Sequence, residues 1–228
     1  MEKMLQERER SEKQIPAKKG FRYFCYIFFK RFFDICVGFL GCVFVLLAVP
    51  FVFIGNLFCR DVGNVFYKQK RVGKDGRIFY VYKFRSMVKN ADAVLSTYLA
   101  ENPAARVEFE EFHKLKNDPR ITKNGKILRA TSIDELPQFI NVLFGSMSFI
   151  GPRPYLDWEL AKDGKDHTVL LSVRPGLTGY WQVNGRSQVE YDDRMKMEVW
   201  YAENRSFLLD VKIFFKTFVA VFKKDGAE

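Results

Sequence analysis

The chain has 228 residues, which is enough for one domain of good size or for one domain with an appendage. It is basic, with 37 Lys+Arg against 27 Asp+Glu, and this charge alone fits binding to nucleic acid, to an anionic membrane surface or to a phosphorylated substrate. The 24 Phe residues favour the membrane interface among these. The four cysteines and two histidines have neither zinc-site spacing nor the arrangement of a disulfide framework, so we expect reduced thiols.

An apolar segment follows a mixed-charge lead-in at residues 1–27. Residues 35–58, "ICVGFLGCVFVLLAVPFVFIGNLF", contain no charged side chain and are long enough to span a bilayer. However, Pro50 removes a backbone hydrogen bond inside the run and predicts a kink or break. Lys and Arg also flank both ends equally, whereas a single-pass protein concentrates them on the cytoplasmic side. These features favour a re-entrant helix, with a kinked spanning helix as the alternative.

The rest of the chain alternates short strands, helices and loops. "NVFYKQKRVGKDGRIFYVYKFRSM" predicts a β-hairpin around "GKDG", and residues 88–115 predict helix interrupted near "ENPA". "ELPQFINVLFG" predicts a short helix with Leu136, Phe139, Ile140 and Leu143 on one side, and "SFIGPRPY" and "VRPGLTGYWQVNGRS" predict loops. The Phe-rich helix at 206–224, with interleaved lysines, fits either the core or the membrane surface.

The segment "TSIDELPQF" (131–139) places two adjacent acids, Asp134 and Glu135, just before Pro137. The simplest interpretation is a helix cap, because Ser132 and Glu135 have the capping-box spacing. In that register Pro137 would forfeit an intrahelical bond, whereas with Asp134 as the cap its missing N–H costs nothing. We therefore expect the helix to begin at about Asp134.

Basic residues in the neighbouring motifs are candidates for binding phosphate, which favours a helix start. The candidates are Lys83, Arg85, Arg129 and Arg153. Arg153 is the most distinctive, because prolines on both sides fix its backbone. Carboxylates beside several arginines suit a phosphate bound to Mg²⁺. The residues alone thus favour phosphate or nucleotide chemistry at a membrane, and a membrane-anchored basic protein that binds lipid or nucleic acid without catalysis is the alternative.

Five segments, in order, resemble the successive signatures of the bacterial sugar transferases, which are monotopic polyprenyl-phosphate phosphoglycosyl transferases. These segments are "KRFFDI", "QKRVGKDGRIFYVYKFRSM", "NDPRITKNGKILRATSIDELPQFINVLFGSMSFIGPRP", "RPGLTGYWQVNGR" and "WYAENRSFLLDVKIFF". The resemblance implies a helix-rich α+β membrane protein with a re-entrant helix at 28–60 broken at Pro50, a small β-hairpin and amphipathic interfacial helices. Residues 61–228 would form the cytosolic, membrane-docked catalytic domain. The family's break often follows a serine, where this chain has Val49.

The resemblance also implies a reaction at the cytoplasmic face of the bacterial inner membrane. A phospho-sugar would pass from a UDP-sugar to undecaprenyl phosphate with release of UMP, as the first membrane step of exopolysaccharide, capsule, O-antigen or glycoconjugate synthesis. Asp134 would form an aspartyl-phosphosugar intermediate, and Asp134 and Glu135 would place Mg²⁺. The implied partners are the UDP-sugar, undecaprenyl phosphate and membrane lipids, with no nucleic acid, and homo-oligomerisation is left open.

Overall fold

The structure, a computed structural model, describes residues 20–61, 63–162, 164–185 and 189–222. Most of the predicted lead-in, residues 1–19, lies outside this part of the chain. Helix α1 is 38 residues long, spans Phe21–Phe58 and therefore begins before residue 28, the predicted start. It continues through Pro50, so the predicted break is not present as an interruption of the helix. A proline inside an apolar helix removes one hydrogen bond without ending the helix when neighbouring groups satisfy the freed carbonyl.

The other elements follow in chain order. They are β1 (Phe66–Val72), a 3₁₀ turn (Lys74–Gly76), β2 (Ile78–Phe84), α2 (Ala91–Glu101), α3 (Pro103–Phe112), α4 (Lys123–Ala130), a second 3₁₀ turn (Ile133–Glu135), α5 (Gln138–Phe144), β3 (Ser148–Ile150), α6 (Asp157–Ala161), α7 (Thr168–Leu171), β4 (Gly176–Thr178), α8 (Tyr180–Asn184), α9 (Tyr191–Asn204) and α10 (Phe207–Phe222). The predicted β1–β2 hairpin, the interrupted helix α2–α3 and the C-terminal helix are confirmed.

The chain divides into two compact units. The described residues of unit 1 fall within 20–43, 68–82 and 137–222, and those of unit 2 within 44–67 and 83–136. β3 and β4 of unit 1 form a parallel pair, with Ser148 opposite Gly176 and Ile150 opposite Thr178. The prediction that these segments are loops is wrong at this point. Each strand has only three residues, and β3 is buried on both faces, so neither shows the alternation that marks a strand in sequence.

The first half of α1 is fastened to unit 1 through its charged residues. Lys30 forms an ion pair with Asp210 of α10, with 2.7 Å between Nζ and the carboxylate. Arg31 donates to two backbone carbonyls at the end of α5. Asp34 is buried and accepts a hydrogen bond of 2.8 Å from the backbone N–H of Phe149 in β3. These contacts satisfy three charges that would otherwise face an apolar environment.

The second half of α1 is part of the core of unit 2. The buried members of this cluster are Val45, Val52, Phe84 and Leu128. Toward the end of the helix, the side-chain amide of Asn124 in α4 donates to Oδ1 of Asn56 at 2.8 Å. Both halves of α1 therefore contact folded parts of this chain.

The sequence left open whether the C-terminal helix α10 lies in the core or at the membrane surface, and whether α1 spans the membrane. In α10, Ile213 is buried in the core of unit 1, whereas Phe207, Leu208 and Phe215 are exposed, so the helix has both a core face and an exposed apolar face.

In the described part of the chain, α1 alone is long and apolar enough to cross a membrane, and 22% of its most apolar window is buried within the chain. The four cysteines are free thiols, as predicted.

Candidate active site

The two acids lie in a 3₁₀ turn and not at the start of an α-helix. Ser132 precedes the turn in the left-handed region (φ 56°), and the backbone N–H groups of Glu135 and Leu136 bond three residues back. α5 begins only after Pro137. The prediction that Asp134 caps a helix is therefore wrong. Pro137 has no N–H with which to continue α-helical bonding through this segment, and the chain closes a tighter turn before it.

Asp134 is a buried carboxylate surrounded by other charges. It is 8% exposed. The pKa of its carboxyl group is raised to about 6, because burial and, to a smaller extent, the adjacent Glu135 raise it by more than the nearby Lys83 and Arg129 lower it. Burial outweighs the two cations because an ionised carboxylate loses most of its hydration there. A raised carboxyl pKa beside cations is a common property of functional sites.

Glu135 is held by a direct ion pair. Its Oε1 lies 2.7 Å from Nζ of Lys83, which stands near the end of β2. The Glu135 side chain is 45% exposed, so Lys83 pairs directly with an acid that solvent reaches, while its charge also acts on the buried Asp134. The structure thus brings together three residues predicted for the site: Asp134, Glu135 and Lys83.

Arg129 joins the same group from α4. Its Nε donates to Oγ of Ser86 at 3.0 Å, and its charge acts on Asp134. The N-terminus of α4 approaches Ser86 so closely that a Cβ added at Gly125 would overlap the Ser86 carbonyl oxygen. The same carbonyl accepts the N–H of Thr122, which caps α4. Ser86 therefore positions the helix and, through it, the guanidinium of Arg129.

Arg85 has a different environment from the other candidates. It is buried, and its guanidinium pairs with Asp61 at 2.8 Å while also donating to the backbone carbonyls of Asn64 and Met87. These contacts use its donors to hold the connection between α1 and β1. A guanidinium engaged in this way stabilises a loop and has little capacity left for a ligand.

Arg153 lies in unit 1, and the acidic turn lies in unit 2. The Arg153 backbone N–H donates to Oε1 of Glu198 in α9 at 3.0 Å. Its Nε is buried without a hydrogen-bond partner. Among the described residues, no protein group hydrogen-bonds the Arg153 guanidinium, which leaves it available to an anion.

The carboxylates of Asp134 and Glu135 fit a Mg²⁺ site in which the protein supplies only part of the ligands. Within residues 20–222 as described, no cluster of three or more His, Cys, Asp or Glu side chains could hold a metal by itself. Mg²⁺ is commonly bound through one or two carboxylates with substrate phosphates supplying further oxygens. Asp134 and Glu135 are two adjacent carboxylates, which is the number that such a site uses.

Three residues of these surroundings were not found from the sequence. Ser86 orients Arg129, Asp61 neutralises Arg85, and Glu198 accepts the Arg153 N–H. The first two are single polar residues in connecting segments with no pattern to mark them. Glu198 sits in a helix with many charged residues, and only its burial separates it from its neighbours.

Comparison with known proteins places the chain in a family. The model of the bacterial sugar transferase family matches residues 25–224, and this chain belongs to that family. It is 44% identical over 200 residues to the undecaprenyl-phosphate galactose phosphotransferase of Salmonella typhimurium and 46% identical over 200 residues to the UDP-galactose-lipid carrier transferase of Erwinia amylovora. Both alignments cover 88% of this chain but 42% of the relative, so the chain spans about two fifths of those proteins. The exopolysaccharide production protein ExoY of Sinorhizobium fredii is 40% identical, with 87% of both chains covered.

Proposed function

We propose that the protein transfers a phospho-sugar from a UDP-sugar to undecaprenyl phosphate and releases UMP. The observation that carries the proposal is Asp134, a buried carboxylate whose pKa is raised to about 6 and which lies within the influence of two cations. Membership of the bacterial sugar transferase family supports the reaction class. The names of two relatives include galactose or UDP-galactose, which makes UDP-galactose the first donor to assay.

In the proposed first step, an Asp134 carboxylate oxygen attacks the phosphorus that carries the sugar. A bond forms from this oxygen to phosphorus, the bond from phosphorus to the UMP oxygen breaks, and UMP leaves with the electron pair. In the second step, a phosphate oxygen of undecaprenyl phosphate attacks the same phosphorus, and the bond to Asp134 breaks. An ionised carboxylate needs no base, and the covalent step lets two anionic substrates use one site in turn.

The difficulty of this chemistry is the approach of an anion to a diphosphate. Lys83 and Arg129 place positive charge beside Asp134, which lowers that electrostatic cost. Mg²⁺, held by Asp134 and Glu135, would supply further neutralisation of the phosphate oxygens. Arg153, in the other unit, has an unpaired guanidinium that would bind an anion, whereas Arg85, also predicted to bind phosphate, would act as a structural residue.

We also propose that α1 is re-entrant, with both of its ends at the cytoplasmic face of the bacterial inner membrane. Contacts with the rest of the chain recur at intervals of three, four or seven residues along α1. They involve Lys30, Asp34, Gly38, Gly41, Val45, Val52 and Asn56. Within each unit, the contacting positions of α1 therefore share one face of the helix.

The partners of Asp34 and Asn56, one in each half of α1, support the same topology. Asp34 contacts β3, and Asn56 contacts α4. The chain between α4 and β3, residues 131–147, has no apolar run long enough to cross a bilayer, so α4 and β3 lie on one side of the membrane. Asp34 and Asn56 of α1 would then lie on that side as well, as in a re-entrant helix. Pro50 is the position at which α1 would bend within the leaflet.

The reaction is tested with purified protein, undecaprenyl phosphate, Mg²⁺ and a panel of UDP-sugars. We expect release of UMP that Asp134→Asn abolishes, while Asp75→Asn, which changes an exposed aspartate in the hairpin turn, has no effect. Without undecaprenyl phosphate, a burst of UMP equal to the enzyme and a matching mass increase on the peptide containing Asp134 are expected. Turnover by Asp134→Asn would exclude Asp134 as the nucleophile, and release of UDP or inorganic phosphate would identify a glycosyl transferase or a phosphatase.

A further inference from the structure

The backbone of Arg153 has one hydrogen-bond donor, and that donor is bound by a buried acid. Pro152 and Pro154 have no N–H, so in the run "PRP" the Arg153 amide alone can fix the chain by donating. It donates to Oε1 of Glu198 at 3.0 Å. Glu198 is 0% exposed, so this bond is sheltered from water.

A second contact from the same face of α9 is made to Ile150, at the start of the segment that ends at Arg153. Tyr201 lies three residues after Glu198, which places the two side chains on one side of the helix. The Tyr201 hydroxyl lies 3.3 Å from the carbonyl oxygen of Ile150, and Lys30 Nζ donates to the same oxygen at 2.9 Å. α9 therefore contacts both ends of the four residues from Ile150 to Arg153.

Unpaired polar atoms remain on both partners of the Arg153–Glu198 contact. Arg153 Nε and Glu198 Oε2 are each buried without a hydrogen-bond partner. The pKa of Glu198 is raised to about 7, because burial raises it by more than the bond from the Arg153 N–H and the charges of Arg194 and Arg153 lower it. Buried polar atoms of native proteins are rarely left unpaired, so the lone Arg153 Nε indicates a partner outside the part of the chain that the structure describes.

We propose that Glu198 is a positioning residue for Arg153. By fixing the Arg153 amide, it sets the direction in which the guanidinium meets an anionic ligand. This inference rests on the proposed function for the identity of the anion, but the bond itself is independent of it. Glu198 acts by accepting a hydrogen bond, which an uncharged side-chain carbonyl also does.

Four variants test the proposal through the KM for the UDP-sugar. We expect Arg153→Ala to raise KM about ten- to a hundredfold, as loss of a charged hydrogen-bond donor does, and Glu198→Ala to raise it about tenfold with a smaller change in kcat. Glu198→Gln, which keeps the acceptor, should stay within about twofold of the wild type. The double variant Arg153→Ala/Glu198→Ala should be no worse than Arg153→Ala. Additive losses, or a Gln variant as impaired as the Ala variant, would overturn the proposal.

Amide hydrogen exchange tests the same bond without any activity. In the peptide 151–155, "GPRPY", the two prolines carry no amide, so Arg153 contributes much of the signal. We expect Glu198→Ala to speed exchange in this peptide, Glu198→Gln to leave it near the wild-type rate, and thermal unfolding to show that both variants are folded. Unchanged exchange in folded Glu198→Ala would overturn the positioning role. If the wild type released no UMP, the proposed function would fail while the exchange result still decided this one.

Discussion

Nζ of Lys83 lies 2.7 Å from Oε1 of Glu135, and the same lysine lowers the pKa of the neighbouring Asp134. One cation therefore serves both acids of the turn. We expect Lys83→Met, which keeps the length of the side chain but removes its charge, to lower kcat about a hundredfold, the range seen when a charge-stabilising donor is lost. Lys83→Arg should retain more activity. Full activity in Lys83→Met, measured as UMP release, would show that the ion pair is only structural.

The pH dependence of activity follows from Asp134. The proposed nucleophile is ionised above its pKa of about 6, so kcat/KM should rise with pH through about 6 and level off above it. In Lys83→Met this rise should move to higher pH, because the charge that lowers the pKa of Asp134 is gone. A profile that rises near pH 4, as for an exposed aspartate, would assign the dependence to another group.

The stability of the fold should depend on Asp134 in the opposite sense to activity. Its pKa lies above the ordinary 3.8, so its contribution to stability is fully present below about pH 3.8 and is lost as the pH rises through about 6. At pH 8 the folded protein therefore carries a buried charge that costs about 2–3 kcal/mol. We expect Asp134→Asn to be more stable than the wild type by about that amount at pH 8 and equal to it at pH 4, as measured by thermal unfolding.

The sequence was sufficient for the parts of the structure that follow from local patterns. The hairpin around Lys74–Gly76 and the helices on either side of Asn102 were predicted because alternation and helix-breaking residues mark them directly. The acidic pair and its cations were recognised from motifs. The turn at Ile133–Glu135 was not predicted, because its form depends on the left-handed Ser132, which sequence rules do not assign to a serine.

The division of roles among the arginines could not be read from the sequence for a related reason. Arg85 and Arg153 both sit in motifs that suggest phosphate binding, but one is paired with Asp61 and the other has an unpaired guanidinium. That difference depends on contacts between residues far apart in the chain. Periodicity and spacing carry no information on such contacts.

Arg85 should matter for folding more than for substrate binding. Removal of one partner of a buried ion pair leaves the other charge uncompensated, so we expect Arg85→Ala to lower the free energy of unfolding by about 3–5 kcal/mol. Lys196→Ala is a matched control, because its pair with Asp193 is exposed, and it should leave the free energy of unfolding near that of the wild type. A stable Arg85→Ala variant with a raised KM would restore the phosphate-binding role.

The topology of α1 is tested by labelling from outside the cell. In a variant whose four native cysteines are replaced by serine, Arg22→Cys and Arg60→Cys place one thiol at each end of the helix. For a re-entrant helix, neither thiol should react with an impermeant maleimide in intact spheroplasts, and both should react after lysis. Reaction of one of the two before lysis would establish a spanning helix.

Ile133 and Leu136, on either side of the two acids, pack against the cluster that contains Val45 and Val52 of α1. The turn that carries the acids is thus built directly on α1. α1 is therefore a part of the folded core of unit 2 and not a detachable anchor. A chain shortened to begin after residue 58 would uncover Phe84 and Leu128 and lose the support of its acidic turn. Solubilising this protein by truncation should therefore yield aggregated material, whereas exchanging exposed apolar residues of α1 should not.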